Sequence, residues 1–309
     1  MAELMRAVRQ DVLGGTEVLK VVEVERPEPG PTEVLVRVRA AGVNPTDWKH
    51  RAGGGFLKNP PFILGWDVSG VVEKVGIGVT IHKPGDEVFG MLRYPFGVGS
   101  HAEYVVAPSR TFAAKPSSID HVQAGALPLA ALTAWQALVD TADVREGQRV
   151  LIHAAAGGVG HLAVQIAKAR GAYVIGTASA GKHDFLRGIG VDEPVDYRSV
   201  DFAEVVKDVD VVLDTIGGDY GPRSVSVLRP GGVLVSVVLS RLGEIDTTGI
   251  RTEALLVEPD HHALTQIAAL AGAGTLRAEI DSVFPLADAA KAHERGDTGR
   301  VTGKIVLTV

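Results

Sequence analysis

One stretch of the chain, residues 149–179, limits what the protein can fold into more than any other. It reads RVLIHAAAGGVGHLAVQIAKARGAYVIGTAS: a short apolar run, a glycine-rich turn, an amphipathic segment and a second apolar run. The hydrophobic period changes from two to about 3.6 and back within about 30 residues, which is typical of a βαβ unit. We therefore expect two parallel strands joined by a helix.

The turn before the helix carries the glycine pattern of a dinucleotide site. Ala155, Gly157 and Gly160 fit G-x-G-x-x-G with alanine in the first position. A side chain at Gly157 would keep the backbone from a pyrophosphate, and Gly160 lets the helix pack closely on the strand. Such a turn can also be a plain tight turn, but the flanking strands and helix favour the dinucleotide. The predicted phosphate contacts are Ala156, Gly157, Gly158, Val159 and Gly160.

The end of the second strand indicates which dinucleotide binds. An NAD site places Asp or Glu about 20 residues beyond the first glycine position, where it accepts from the ribose 2′-OH. No acidic residue occurs between His161 and His183, and the strand is followed by Ser179 and Lys182. A hydroxyl and a cation suit a 2′-phosphate, although Ser179 can equally cap the next helix and Lys182 can be a surface lysine. We expect NADPH rather than NADH.

Composition narrows the class of protein. The 309 residues are 46% hydrophobic, enough for two domains, and the net charge of -6 without a basic run argues against nucleic acid as a partner. With no cysteine, the chain has no disulfide, thiolate nucleophile or cysteine-ligated zinc. No segment reaches the about 18 uncharged apolar residues of a membrane span. We expect a soluble, cytoplasmic protein with no membrane partner.

The pattern of predicted elements changes along the chain. Residues 1–124 read as short strands and turns, including an alternating run at 33–39. After a helical run at 127–139, apolar strands alternate with helices, as in a parallel sheet covered on both faces. The predicted strands are 70–75, 101–106, 150–154, 173–177, 209–215, 233–238 and 304–309, and a further helix is predicted at 262–271. The fold class is therefore α/β, with a β-rich part and a doubly wound parallel sheet.

Motifs along the whole chain carry a family resemblance. They are GVNPTDWKHRAG at 42–53, LGWDVSGVV at 64–72, PGDEVFGM at 84–91, HAEYVV at 101–106, LPLAALTAWQAL at 127–138, AAAGGVG at 154–160, DTIGG at 214–218 and GRVTGKIVLTV at 299–309. The chain resembles the medium-chain dehydrogenase/reductase superfamily, and within it the zinc-free quinone oxidoreductase (zeta-crystallin-like) group. The resemblance implies a GroES-like catalytic domain from residues 1–124 and 258–309, a Rossmann NADPH-binding domain at 125–257, and a homodimer.

The same motifs depart from zinc-dependent relatives. Those relatives carry Cys-His-Thr-Asp where this chain has residues 44–47, and Gly-His-Glu at residues 65–67. His261 and His262 are adjacent and do not share a helix face, and no H-E-x-x-H spacing occurs, so we expect no metal. Without a Lewis acid, hydride can pass to an acceptor whose own conjugation stabilises the charge. That acceptor is a quinone or an α,β-unsaturated carbonyl.

Resemblance also suggests which side chains meet the acceptor. The resemblance places three residues, Asn44, Asp47 and Lys49, on the turn that faces the nicotinamide. Asn44 would donate to the carboxamide or to an acceptor oxygen, and Lys49 would stabilise an acceptor anion. The alternative is that Asn44 shapes a turn and Asp47 caps a short helix. The aromatic walls for a planar acceptor would be Trp66, Tyr94 and Phe96, which can instead be core residues.

Further cofactor contacts follow from the resemblance. They are Thr133, Tyr197, Ile216, Gly217, Val237, Val238 and Leu239. His153 precedes the glycine turn, and a lone histidine that ends a buried strand is more often packed than catalytic. The sequence thus predicts an NADPH-dependent, zinc-independent reductase of quinones or activated double bonds. Two alternatives stay open: a dedicated enoyl or 2-alkenal reductase, and a protein that binds NADPH without turnover.

Overall fold

The structure is a computed structural model, and it describes residues 3–96, 98–238 and 247–309. The chain divides into two compact units, which are Met1–Leu132 together with Glu258–Val309, and Thr133–Val257. The boundaries predicted at 124/125 and 257/258 for two separate domains stay a prediction. Within the described ranges, no helix has both the length and the apolar character needed to cross a membrane.

Short strands dominate the chain up to residue 126. In chain order the elements are β1 (Leu4–Gln10), β2 (Lys20–Glu25), β3 (Glu33–Val43), α1 (Pro45–Gly53), β4 (Phe62–Ile63), β5 (Asp67–Val75), β6 (Glu87–Met91), β7 (Tyr104–Pro108), β8 (Phe112–Ala114), α2 (His121–Ala126) and α3 (Pro128–Trp135). A π-helical turn, Gln136–Thr141, continues α3.

Strands and helices then alternate. They are β9 (Arg149–Ile152), α4 (Gly160–Ala169), β10 (Tyr173–Ala178), α5 (His183–Gly188), β11 (Glu193–Asp196), α6 (Phe202–Val205), β12 (Val209–Asp214), α7 (Tyr220–Val225), β13 (Leu228–Ser236) and β14 (Arg251–Ala254). The chain ends with α8 (His261–Gly272), β15 (Ile280–Pro285), α9 (Ala289–Asp297) and β16 (Lys304–Thr308).

Both ends of the chain build the first unit. Its larger sheet has the order β15-β16-β3-β5-β6-β8, with β7 also paired to β3, and its smaller sheet has the order β2-β1-β4. The last strand, β16, runs antiparallel to β3 and pairs Ile305 with Val43. Ile305 and Leu307 share a core with Val8 of β1 and Leu64. The C-terminal segment therefore completes a sheet that the N-terminal segment begins.

The second unit is built on one parallel sheet. Its strand order is β11-β10-β9-β12-β13-β14, and each pair of neighbouring strands in it is parallel. Numbered within the sheet, this order is 3-2-1-4-5-6, the arrangement of doubly wound dinucleotide-binding folds. Its four central strands contain the near-continuous apolar runs of a sheet covered on both faces; Leu151, Ile175 and Leu234 are fully buried. The predicted α/β class, with a β-rich part and a doubly wound parallel sheet, is confirmed.

The strand predicted at 101–106 is partly wrong. It begins at Tyr104, because His101 is engaged elsewhere. The His101 amide donates to the Leu64 carbonyl (3.0 Å), and its carbonyl accepts from the Val8 amide (2.9 Å). Residue 101 thus connects the smaller sheet to the loop before β5. Tertiary packing sets this contact, so the local alternation of apolar and polar residues does not predict it.

Candidate active site

The glycine-rich turn joins β9 to α4 at the carboxyl edge of the parallel sheet. Ala154 turns the chain with φ of 47°, and the Gly157 amide donates to the Ala154 carbonyl (2.8 Å). A Cβ at Gly160 would lie 2.3 Å from the Ala154 carbonyl oxygen and 2.8 Å from the Ala155 Cα. Both are backbone atoms that cannot move away, so α4 can begin here only with glycine.

The start of α4 presents backbone N–H groups that lack protein acceptors. In the ranges that the structure describes, the amides of Ala156, Gly158 and Val159 donate to no carbonyl and no side chain. A helix N-terminus also carries a partial positive charge. Donors and dipole together can bind an anionic group such as a phosphate.

Asp214, at the end of β12, organises the next part of the same edge. Its Oδ1 accepts from the amides of Ile216 and Gly217 (both 2.9 Å), and its Oδ2 accepts from the Ser236 hydroxyl at 3.3 Å. The carbonyl of Asp214 accepts from the Val237 amide at 3.1 Å. One buried carboxylate therefore holds the loops that follow β12 and β13.

Most predicted cofactor contacts follow the carboxyl ends of neighbouring parallel strands. Those after β9, β10, β11, β12 and β13 are Ala156 to Gly160, Ser179 with Lys182, Tyr197, Ile216 with Gly217, and Val237 with Val238. Leu239 lies outside the described residues. Thr133 lies in α3 and is buried. Ligands of open α/β sheets bind at this carboxyl edge, so the topology gathers residues that are far apart in sequence.

An acidic side chain lies near the turn that follows β10. Parallel pairing of β10 and β11 sets Asp196 opposite Ala178, and the amides of Arg198 and Ala180 lower the pKa of its carboxyl group. Asp196 therefore lies beside the turn that carries Ser179 and Lys182. Two cationic residues follow these strands: Lys182 comes after β10, and Arg198 comes after β11, where its guanidinium lies 5.8 Å from the centre of the Tyr197 ring.

His153 is a packed residue. Its ring is fully buried between Phe202 and Tyr220, with ring centres 4.6 and 4.9 Å away. Its two nitrogens lie 3.2 Å from the Thr177 hydroxyl and 3.0 Å from the Ser224 hydroxyl. Burial lowers the pKa of His153 to about 3, so the ring is neutral at neutral pH.

In the first unit, Asn44 belongs to a buried charged cluster. Its Nδ2 donates to Asp67 Oδ2 at 2.8 Å, and its Oδ1 accepts from the Lys304 ammonium. Lys304 lies 3.5 Å from Asp67, and the Leu129 amide donates to the other oxygen of Asp67 (2.6 Å). Burial raises the pKa of Asp67, and the Lys304 ammonium opposes that rise. The Asn44 amide is thus engaged within the protein.

Asp47 is fully buried and caps α1. Its Oδ2 accepts from the Asn44 amide at 2.6 Å, and its Oδ1 accepts from the Gly65 amide at 3.1 Å. Burial raises the pKa of Asp47 to about 8 and outweighs the two amide donors. Of the two roles expected for Asp47, these contacts match the capping of α1. Lys49, two residues further on, is exposed, and no described residue pairs with its ammonium.

Aromatic side chains gather beside α1. Trp66 is fully buried, and its ring centre lies 5.2 Å from those of both His50 and Tyr94. Tyr94 is half-buried and meets Phe56 edge-on at 6.3 Å, whereas Phe96 is 72% exposed. Of the three predicted aromatic walls, Tyr94 and Phe96 have accessible surface. Trp66 has none, and it packs against the ring of Tyr94.

The residues at the zinc positions of zinc-dependent relatives do not fit that ion. Asn44 and Asp67 face the ammonium of Lys304, and Trp66 has no lone pair to offer a metal. Across the described part of the chain, no three His, Cys, Asp or Glu side chains converge as metal ligands. The cation at this position is Lys304, which no sequence motif predicts.

Comparisons with known proteins agree with this architecture. Residues 30–117 match the family model of the alcohol dehydrogenase GroES-like domain, and residues 189–307 match that of the zinc-binding dehydrogenases. A chloroplastic quinone-oxidoreductase homolog of Spinacia oleracea is 34% identical over 99% of both chains. A 2-haloacrylate reductase of a Burkholderia species is 35% identical over 95% of this chain and 96% of its own.

Solved structures show the same likeness. The quinone oxidoreductase from Coxiella burnetii superposes with a TM-score of 0.94 at 39% identity, over 99% of this chain and 100% of that one. The Escherichia coli quinone oxidoreductase complexed with NADPH has a TM-score of 0.89 at 30% identity, over 98% and 100%. The chain therefore belongs to the quinone oxidoreductase group of the medium-chain dehydrogenase/reductase superfamily.

Proposed function

We propose that this oxidoreductase uses NADPH to transfer hydride to a quinone or an activated α,β-unsaturated carbonyl. The amides of Ala156, Gly158 and Val159 carry the proposal. In the described part of the chain they have no protein acceptor, and they lie in the first βα turn of the sheet, where dinucleotide-binding folds hold phosphates. The structure of the Escherichia coli relative with NADPH supports the same cofactor class. Ser179, Lys182 and Arg198 favour a 2′-phosphate over a bare ribose.

The residues at the edge of the sheet can hold this cofactor. The amides before α4 would bind the pyrophosphate, and the loops fixed by Asp214 would line the path toward the nicotinamide. When bound, NADPH supplies the hydride. The protein's share is to orient the two reactants and to exclude water.

The charged cluster of Asn44, Asp67 and Lys304 supports a conjugated acceptor. Lys304 is already held by Asn44 and Asp67, so its positive charge is not available to an alkoxide. An acceptor that spreads the charge through its own conjugation has no need of a metal. The names of the relatives support this class, because a quinone and a 2-haloacrylate are both conjugated acceptors.

We retain three side chains of the first unit in the proposed acceptor site. Lys49 is exposed and offers an ammonium to an acceptor anion, while Asn44 and Asp47 act by fixing the start of α1. Tyr94 and Phe96 are the proposed aromatic walls. The resemblance supports a homodimer as a proposal, and light scattering of the purified protein tests it. A cytoplasmic location stays a proposal from the sequence alone, since the Spinacia oleracea relative is chloroplastic.

Acceptor-dependent oxidation of NADPH tests the function. The purified protein is mixed with NADPH and, in separate reactions, with 1,4-benzoquinone, 2-hexenal or the saturated aldehyde hexanal. We expect oxidation with the first two and none with hexanal. Oxidation with 2-hexenal alone would favour a dedicated 2-alkenal reductase. NADPH binding without oxidation across a broad panel of acceptors would favour the non-catalytic alternative and contradict both enzymes.

A further inference from the structure

A chain of three side chains ends at the half-buried hydroxyl of Tyr94. The Tyr94 hydroxyl lies 3.2 Å from the hydroxyl of Thr46, which lies 3.1 Å from Nδ1 of His50. Thr46 and His50 lie one turn apart on α1, whereas Tyr94 comes from the loop after β6. None of the three belongs to the charged cluster of Asn44, Asp67 and Lys304.

The hydrogen bonds of His50 settle which of its nitrogens carries the proton. The Phe56 amide donates to Nε2 at 3.1 Å, so Nε2 holds a lone pair and the proton is on Nδ1. Nδ1 then donates to the Thr46 carbonyl at 2.7 Å. Burial lowers the pKa of His50, which keeps the ring in this neutral form.

That tautomer restricts the Thr46 hydroxyl. Nδ1 has no lone pair, so the Thr46 hydroxyl cannot donate to it and can donate to the Tyr94 oxygen. In that arrangement the phenolic hydrogen of Tyr94 is available to an acceptor. Among residues 3–96, 98–238 and 247–309, no other group accepts from it. The ring itself is held edge-on by Trp66 and Phe56.

We propose that Tyr94 is a catalytic residue whose hydroxyl donates a hydrogen bond to the carbonyl oxygen of the acceptor, and that Thr46 and His50 are positioning residues that orient it. The inference rests on the proposed function. The β carbon of an α,β-unsaturated carbonyl gains a hydride, the π electrons move to the carbonyl oxygen, and NADPH is oxidised. Tyr94 stabilises the negative oxygen, and water then gives a proton to the α carbon.

The raised pKa of Tyr94 suits a hydrogen-bond donor. Burial raises this pKa above its usual value, so the phenol keeps its proton at neutral pH. A preorganised donor stabilises charge most where it develops in the transition state, and its loss therefore lowers kcat more than it raises KM.

Substitution of Tyr94 tests the proposal with 2-hexenal and NADPH. Tyr94→Phe should lower kcat about 100-fold and leave KM within about threefold. Thr46→Val should lower kcat in the same direction, and Thr46→Ser, which keeps the hydroxyl, should restore most of it. Tyr173→Phe is the matched control, because Tyr173 lies at the amino end of β10. NADPH affinity should be the same in all four variants.

A binding measurement separates this inference from the proposed function. Hexanamide offers a carbonyl oxygen but no double bond to reduce, and its affinity is measured by calorimetry without turnover. We expect Tyr94→Phe to weaken hexanamide binding about tenfold relative to Tyr173→Phe, as loss of one hydrogen bond implies. Wild-type kcat in Tyr94→Phe, or equal hexanamide affinities in the two variants, would overturn the role of Tyr94. If the wild type oxidises no NADPH but hexanamide binding still depends on Tyr94, only the proposed function fails.

Discussion

The ammonium of Lys304 lies 3.5 Å from a carboxylate oxygen of Asp67, and both side chains are buried. Lys304 begins β16 and Asp67 begins β5, and these strands flank β3 on opposite sides. The pair therefore links the C-terminal segment to the N-terminal one across the centre of the sheet. Asn44, at the end of β3, bonds to both members.

Removal of the Lys304 charge should destabilise the protein strongly. Lys304→Met keeps the apolar stem but leaves Asp67 buried without its cation, and we expect a loss of about 3–5 kcal/mol in the free energy of unfolding. Urea denaturation measures it. Lys74→Met is the control, since Lys74 pairs with Glu28 on the surface and its loss should change little. Equal stability of the two variants would show that the buried pair is dispensable.

A methyl group at residue 160 should damage both folding and nucleotide binding. The added Cβ would lie 2.3 Å from the Ala154 carbonyl oxygen, and we expect Gly160→Ala to lose about 1–3 kcal/mol of stability and to bind NADPH more weakly. Gly188→Ala, where nothing lies within 4 Å of the new Cβ, is the control. Thermal denaturation and a fluorescence titration with NADPH report the two effects; unchanged binding in Gly160→Ala would refute the close approach.

Acid should unfold the protein through its buried neutral histidines. Burial lowers the pKa of His153 to about 3 and that of His101 to about 4, against an unfolded value of 6.5. The unfolded chain therefore takes up protons first as the pH falls. Stability is fully present above pH 6.5, and each histidine lowers it by about 1.4 kcal/mol per pH unit from there down to its own folded pKa.

Denaturant midpoints across this range of pH measure the slope. Compared with the wild type, His101→Gln should show a shallower loss between pH 6.5 and about 4. His262→Gln, at an exposed position of α8, should keep the wild-type slope. If all three proteins lose stability in parallel, the buried ring of His101 contributes nothing to acid sensitivity.

The choice between NADPH and NADH should depend on Lys182. We expect NADPH to bind at least about tenfold more tightly than NADH, and Lys182→Ala to remove most of that difference, because the lysine would neutralise the 2′-phosphate. Lys207→Ala is a matched control, since Lys207 precedes β12 at the amino edge of the sheet. Calorimetric titration with both nucleotides gives the ratio; equal affinities in the wild type would defeat the charge argument.

The sequence predicts the four central strands of the parallel sheet, β9, β10, β12 and β13, because each contains an apolar run with its own local signal. The edge strands β11 and β14 read EPVD and RTEA, contain no such run and were not predicted. The sequence did not reveal Lys304, which meets Asn44 across 260 residues of chain, since nothing near GKIVLTV marks a buried cation. Nor did it reveal Asp196 beside the turn of Ser179, because Asp196 ends β11 and its place opposite Ala178 of β10 depends on how the two strands pair. Tyr94 was predicted only as an aromatic wall, and its hydroxyl contacts depend on the rotamers of Thr46 and His50. Such contacts are set by tertiary packing rather than by local pattern.

The product formed from 2-hexenal and NADPH shows which carbon atom receives the hydride. Hydride transfer to the β carbon gives hexanal, and NMR of the reaction mixture distinguishes it from the alcohol. We predict hexanal as the product, formed in amounts equal to the NADPH consumed. Formation of 2-hexen-1-ol, which requires hydride attack on the carbonyl carbon, would show that the protein does not reduce the conjugated double bond.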